Sequence, residues 1–380
     1  MPRPLLTASR LLCLLLAGAV PAHAGTPLPP PPAVAAKSAV LIDAFSGRIL
    51  AGQNDTDRVE PASLTKLMTS YVVFHALKDG KLRLDQEVPI SEHAWKAEGS
   101  RTFVDVNTRV RVDLLIQGMI VQSGNDATIA LAEAIAGSEQ TFAVLMNQYS
   151  QRLGLNGSHW ANTDGLPDPQ HYTTARDIAL LGAALIREFP QYYKWFSQRS
   201  FSYNNITQQN RNGLLERDPT VDGIKTGHTE AAGYCLATSA LRDGMRLVSV
   251  VMGTASPKAR EDASATLLGY GFNFFETRRL YAAQQQVGQV HVYKANDLAA
   301  VVLHNDLAAT APRGELAGVK AQLVLNPRLI APLAATTPVG RLRLTLGDTL
   351  LGDVPVYPAT AVPPGSLWRR FVDTIRLWFA

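Results

Sequence analysis

The sequence predicts an α/β (α+β) protein: an antiparallel sheet packed with a helical cluster, then a small all-β sandwich and a terminal amphipathic helix. Three observations carry this. Strand-like runs stand at both ends of the stretch 38–254 with helix-period segments between them, so the strands of one sheet come from distant parts of the chain. From residue 287 the texture changes to short, alternating or β-branched segments separated by turn residues. After Pro363-Pro364-Gly365 the chain closes on a run with a helical apolar period. The length of 380 residues suits two domains, because a single core rarely grows past ~250–300 residues.

In order along the chain, residues 1–24 read as a signal peptide: Arg3 and Arg10, an apolar run from Leu11 to Val20, then Ala22-His23-Ala24 as a small-x-small cleavage site. The apolar run is too short to span a bilayer. Residues 25–36 form a proline-rich tether, extended and without a core. The domain 37–286 opens on a hairpin at 38–53, turning around Ser46-Gly47. Leu64, Leu67, Met68, Tyr71, Val72 and Leu77 then fit a helix over 63–77. Helices at 114–121 and 126–135 are split at Ser123-Gly124-Asn125. Another runs over 140–153 with Ser138 as cap, and a further one over 175–189. Strands return at 233–240 and 245–252, joined by Arg242-Asp243-Gly244, and a helix continues through Phe275.

The all-β domain covers 287–362, with strands expected at 290–293, 300–303, 321–325, 342–346 and 354–357. In the closing segment 366–380, Trp368, Phe371, Val372, Ile375, Trp378 and Phe379 draw one apolar stripe. Arg369, Arg370, Asp373, Thr374 and Arg376 fall mostly on the other side. Two tryptophans and three arginines suit the headgroup boundary of an anionic membrane; the alternative is a helix docked on its own domain.

Composition narrows the function. With 46% hydrophobic and 18% charged residues, the chain is neither a disordered tail nor a fibre nor a multi-span membrane protein. The net charge of +4, from 36 basic and 32 acidic residues, is too thin for a nucleic-acid partner, which needs clustered Lys and Arg. Two cysteines make no disulfide framework, and Cys235 reads as a small buried hydrophobe. The chain has no G-x-x-x-x-G-K-[ST], no H-E-x-x-H, no G-x-S-x-G and no Cys/His cluster, so no cofactor or metal is expected.

What remains is a serine-lysine pattern: Ser63-Leu64-Thr65-Lys66, Ser123-Gly124-Asn125 and Lys225-Thr226-Gly227, in that order. Ser63 and Lys66, at i and i+3, share one helix face. A serine hydroxyl is a weak nucleophile until a base takes its proton. Lys66 serves as that base if burial and a second cation, Lys225, lower its pKa, and Ser123 can relay the proton. The N–H groups of Ser63 and His228 could form an oxyanion hole, and Gly227 would let substrate backbone lie close to the strand. Each hit alone has a plain structural meaning: Ser63 as a helix cap, Lys225 as a solvated strand residue, Asn125 as a turn. A second S-x-N, Ser202-Tyr203-Asn204, weakens that motif further. The ordered triple is what carries the chemistry.

At these residues the chain resembles a known family. P-A-S-L-T-K-L-M-T-S-Y-V, G-M-I-V-Q-S-G-N-D-A, V-D-G-I-K-T-G-H-T-E-A-A-G-Y and G-F-N-F-F-E-T look like the D-alanyl-D-alanine carboxypeptidases, low-molecular-mass penicillin-binding proteins of the penicillin-binding protein 5 and 6 type. The resemblance covers 38–380. It implies that Ser63 attacks the carbonyl between the last two D-alanines of peptidoglycan stem peptides, and that Lys66 and Ser123 handle the proton in acylation and in hydrolysis of the ester. β-Lactams would acylate the same serine. Asn125, Lys225, Thr226, Gly227 and His228 would bind substrate, with Arg211 and Arg260 around its terminal carboxylate. Asp164 stands where some relatives have histidine, which leaves its role open. The resemblance also implies an exported, periplasmic enzyme attached peripherally to the outer face of the inner membrane. The competing readings are a serine β-lactamase, which usually has S-D-N where this chain has Gly124, a cross-link endopeptidase, and a non-catalytic peptidoglycan-binding scaffold.

Overall fold

Alternation along Ser38–Asp43 shows how the main sheet is built. Val40 and Ile42 enter one apolar cluster, while Ala39 and Leu41 enter another. Met245–Thr254 repeats the pattern, with Val248 and Val250 on one face and Leu247 and Val251 on the other. Period-two side chains therefore bury both faces of the sheet. The structure, a computed structural model, describes residues 28–379, and the expected signal peptide lies outside the described residues.

The five strands are ordered Ile49–Gln53, Ser38–Asp43, Met245–Thr254, Gly233–Arg242, Val221–Thr229, all antiparallel. The last of these, which carries Lys225-Thr226-Gly227, is an edge strand, and its free side faces the turn bearing Ser63. Helix Pro257–Phe274 covers one face of the sheet through Leu267 and Leu268. Ala175–Glu188, Lys66–Lys78 and Asn125–Ala136 build the cluster on the other. The helices stand where the apolar periods place them. Ser138 caps Glu139–Leu153 by accepting from Thr141 N–H, and Thr174 caps Ala175–Glu188, each cap worth ~1 kcal/mol.

The β-rich unit begins earlier than expected. Phe275–Tyr281, directly after the helix, pairs with Leu307–Pro312, so the boundary at 286/287 falls inside the second domain. Both strands escape the sequence pattern for a physical reason. The first is half-exposed and rich in charge, and the second, L-A-A-T-A-P, has alanines where β-branched residues signal strand. The expected strand at 290–293 is Gln286–Val290 instead. A five-stranded antiparallel sheet, ordered Gln286–Val290, Ala299–Val302, Thr349–Pro358, Gly340–Leu346, Val319–Leu325, shares a core with this pair through Val301, Leu344, Val356, Ala309 and Ala311.

The tether also differs from expectation in its described part. Val34 and Ala36 pack against the sheet cluster. The Gln53 side chain accepts from Val34 N–H and donates to the Val34 and Ala36 carbonyls, and the Tyr270 hydroxyl donates to Pro29 O. Gln53 satisfies backbone groups that proline-rich chain cannot pair by itself, so this segment is seated on the domain.

The terminal helix Leu367–Phe379 meets the β-rich unit with its polar side. Asp373 is buried and accepts from Lys294 N–H at 2.7 Å, with Arg369 and Arg376 each 3.5 Å from its carboxylate. The apolar stripe is left outward, Trp368 74% and Trp378 81% exposed. No single helix among the described residues is long and apolar enough to cross a membrane.

Candidate active site

Ser63 sits in a one-and-a-third-turn 3-10 segment, Ala62–Thr65, that leads into the helix Lys66–Lys78. Proline precedes the segment, so the chain enters it with φ preset. Ala62 has φ +47°, a left-handed conformation that costs an alanine ~1–2 kcal/mol. Ser63 is not the N-cap of this segment, a place that Pro61 takes; Ser63 stands inside it. Its hydroxyl accepts from Lys66 Nζ at 3.1 Å, the contact that the i, i+3 spacing predicts.

Lys66 is 1% exposed. As an ammonium it has three protons and three acceptors: Ser63 Oγ, Asn125 Oδ1 at 2.7 Å and Asp164 O at 2.7 Å. Burial pushes its pKa down to about 8; the Asp164 carboxylate opposes the shift and the Arg211 guanidinium adds to it. Once neutral, the amine has a lone pair to accept the Ser63 hydroxyl proton. Asn125 is held for this by its other end, where Nδ2 donates to Glu98 O at 2.6 Å.

Ser123 ends a π-helical turn, Gly118–Gln122, in the left-handed region (φ +69°). Its buried Oγ has no hydrogen-bond partner among the described residues, the state of a hydroxyl that awaits one. It lines, with Ser63, Asn125, Asp164, Arg211, Thr226, Gly227, His228 and Arg260, a cleft of about 360 Å³. Gly227 explains how the edge strand comes so near. A Cβ there would stand 3.2 Å from Ser63 N, Pro61 O and Ala62 Cβ, tighter than side chains ordinarily pack.

Lys225 is buried, not solvated, and donates to Thr226 O at 3.2 Å. Burial, with Lys66, Arg211 and Arg260 as neighbouring cations, holds its pKa well below the usual lysine value. The two arginines differ. Arg211 is exposed at the cleft. Arg260 is buried, and its guanidinium donates to Gly227 O, Cys235 O and Arg211 O at 3.1–3.5 Å while Nε has no partner. No carboxylate pairs with either arginine among the described residues. Their end of the cleft is cationic and suits an anion. His228 is exposed and stacks on Tyr234, centroids 4.0 Å apart.

Two expected bystanders prove to be such. Ser202-Tyr203-Asn204 lies in a separate hairpin, Ser202 bonded to Thr207 and Asn204 to Phe103 O. Cys235 is buried, and burial pushes its thiol up to about 11, so it is inert at neutral pH.

Sequence reasoning missed the residues that hold these groups in place. Asp126, fully buried, accepts from the N–H groups of Thr102, Phe103 and Val104, which fixes the wall of the cleft beside Ser123. Its position directly after S-G-N was the available signal. His171 reaches Thr65 from 106 residues away, and no local pattern announces it. Asp164 contributes its backbone carbonyl to Lys66, while its Oδ1 accepts from Leu166 N–H.

Comparison with known proteins agrees with this fold. The profile of the D-alanyl-D-alanine carboxypeptidase family matches residues 25–256, and that of the penicillin-binding protein 5 C-terminal domain matches 275–364, the second starting where the structure starts the β-rich unit. The chain is 40% identical over 363 residues to D-alanyl-D-alanine carboxypeptidase DacA of Escherichia coli K12, covering 93% of this chain and 90% of that one. Its fold matches penicillin-binding protein 5 of Haemophilus influenzae with a TM-score of 0.80 and 42% identity, over 88% of this chain and 99% of that one. It also matches penicillin-binding protein D2 of Listeria monocytogenes in an ampicillin-bound form, TM-score 0.59 and 26% identity, over 64% and 100%. The chain belongs to the D-alanyl-D-alanine carboxypeptidase family.

Proposed function

We propose that the protein removes the terminal D-alanine from peptidoglycan pentapeptide stems through an acyl-enzyme on Ser63. The observation that carries this is the contact of a buried, pKa-lowered Lys66 with the Ser63 hydroxyl at 3.1 Å. Lys66 takes the Oγ proton as Oγ attacks the carbonyl of the penultimate D-alanine. The oxyanion is met by the backbone N–H groups of Ser63 and His228. The C–N bond breaks, and the proton passes from Lys66 through Ser123 to the departing amine. Water then attacks the ester, its proton returns by way of Lys66, and Ser63 regains its own. Asn125 orients Lys66 and the substrate amide. Lys225, Thr226 and the cationic end at Arg211 and Arg260 take the terminal carboxylate, and Gly227 lets the peptide lie along the edge strand.

A β-lactam acylates the same serine, because its strained amide stands where the D-Ala-D-Ala bond stands. The chain departs from the β-lactamase pattern at Gly124. A Cβ there would lie 2.0 Å from Thr102 Oγ1 and 2.8 Å from Thr102 N, so the S-D-N of β-lactamases does not fit. The bond from buried Lys66 to the cleft-lining Ser63 hydroxyl speaks against a non-catalytic scaffold. The decisive assay is release of free D-alanine from a pentapeptide by wild type and by Ser63→Ala. No release by folded wild type, or undiminished release by the variant, would refute the proposal.

The outward stripe of Trp368, Phe371, Ile375 and Trp378, with Arg370 and Arg376 exposed, supports peripheral attachment to an anionic membrane surface. An exported enzyme held at the periplasmic face of the inner membrane fits that stripe and the N-terminal sequence. Deleting residues 366–380 should leave the protein in the supernatant after membranes are pelleted; sedimentation of the truncated protein with them would contradict the attachment.

A further inference from the structure

The carbonyl of Ala62, one residue before Ser63, is gripped from two sides. Thr65 Oγ1 donates to it at 2.8 Å. Gly165 backs onto it so closely that a Cβ at 165 would fall 1.8 Å from the oxygen. Ala62 needs such a grip, since its φ of +47° persists only if its surroundings over-determine it.

The Thr65 hydroxyl is itself held by His171 Nε2 at 2.7 Å. The direction of every proton in this chain is fixed. Ala161 N–H donates to His171 Nδ1 at 2.9 Å, so Nδ1 is the acceptor and Nε2 carries the hydrogen. The ring therefore donates to Thr65, and Thr65 donates to Ala62. Thr65 and His171 are both buried, and burial pushes the imidazole down to about 4, so the neutral ring this chain requires is the form present at neutral pH. The segment 161–171 that supplies His171 also brings Asp164 O to Lys66 Nζ. One loop thus holds the residue before the nucleophile and the base at once. Neither Thr65 nor His171 lines the cleft.

We propose that Thr65 and His171 are positioning residues for acyl transfer: a buried hydrogen-bonded strut that holds the Ala62–Ser63 peptide, and with it Ser63 Oγ and N–H, in line with Lys66. The proposal rests on Ser63 being the acyl-accepting serine. Without the strut Ala62 relaxes toward negative φ, and the Ser63 N–H and hydroxyl turn away from where the carbonyl is attacked. Lys225, Thr226 and Arg260 stand on other elements, so substrate binding persists. The signature is loss of kcat with KM little changed.

The test uses the purified protein with benzylpenicillin and a peptide ending in D-Ala-D-Ala. Thr65→Val removes the hydroxyl at nearly constant volume, and Thr65→Ser restores it. His171→Asn keeps an acceptor near the Nδ1 position but has no donor that reaches Thr65. Thr65→Val and His171→Asn should each lower kcat and the acylation rate by roughly 10- to 100-fold, with KM within about twofold. Thr65→Ser should stay within about threefold of wild type, and the double variant should be no slower than the slower single one. Acylation is counted per molecule that binds drug, so a fold defect that only lowers the active fraction leaves the rate unchanged. Wild-type rates in Thr65→Val or His171→Asn, or a Thr65→Ser as slow as Thr65→Val, would overturn the strut. Failure of both variants to fold would overturn it too, because a local strut is dispensable for the fold. If wild type itself is not acylated on Ser63, it is the functional reading that fails.

Discussion

Gly165→Ala strikes the site from a glycine on the cleft wall that has no side chain to offer the chemistry. Gly165 has φ +91°, so alanine there carries ~1–2 kcal/mol of backbone strain before any contact is counted. Its Cβ would stand 1.8 Å from Ala62 O, 2.3 Å from Ala62 C and 2.8 Å from Thr65 Oγ1. The first two are backbone atoms, so no rotamer relieves the overlap, and one of the two segments must retreat by more than about 1 Å. If Ala62 moves, Ser63 moves with it. A displacement of ~1 Å at a reacting atom costs about 100-fold in rate, equivalent to ~2.7 kcal/mol. The expected result is therefore a roughly 100-fold fall in kcat for D-alanine release with KM changed less than about threefold. Calorimetry should show the melting temperature lowered by about 2–8 °C. A folded Gly165→Ala protein with wild-type kcat would refute the reasoning, since the loop would then be free to move without carrying Ser63.

Acylation should follow the protonation of Lys66: with its pKa near 8, kcat/KM rises with pH through that value, and near pH 6 only about 1% of the amine is neutral. The same shift enters stability. Lys66 binds its proton less tightly folded than unfolded, so between about pH 8 and 10.5 the unfolded chain holds more protons and stability rises with pH, by ~3 kcal/mol over the window; urea titrations of wild type and Lys66→Met would show it as a slope the variant lacks. Asp164→Asn keeps the backbone carbonyl on Lys66 but removes the carboxylate that most raises its pKa, so the acid limb of kcat/KM should move to lower pH, and an unmoved limb would count against that electrostatic coupling. Gly124→Asp should cost ~1–3 kcal/mol from overpacking against Thr102 and yield no gain in penicillin hydrolysis, read by chemical denaturation and the absorbance of the drug.

The catalytic triple was legible because each motif is local in sequence, within one strand or across one junction between neighbouring elements. Ser63 and Lys66 meet by their i, i+3 spacing across the step from the 3-10 segment into the helix, and Lys225, Thr226 and Gly227 take their places once the strand is recognised. The hairpins at 38–53 and 233–252 and the helices around them follow from period and caps for the same reason. What stayed hidden depends on tertiary contact. His171 reaches Thr65 across 106 residues, Glu98 serves Asn125 by a backbone carbonyl that any residue would provide, and Gln53 seats the tether by capturing its backbone. Arginine at 260 gave no hint of being buried against three carbonyls. The terminal helix showed its two faces plainly, but not that the polar one docks: Asp373 reads as a solvent residue until Lys294 N–H is placed against it. The strand Leu307–Pro312 was hidden by its alanines, which pack under the second sheet without a strand-like composition.

The claim on which the rest depends is that Ser63 is the residue acylated. The most direct measurement is mass spectrometry of the intact protein and its peptides after a short exposure to benzylpenicillin. The expected result is a single stable adduct, carried by the peptide containing Ser63 and absent from Ser63→Ala. An adduct on another residue, or steady destruction of the drug with no adduct retained, would contradict it.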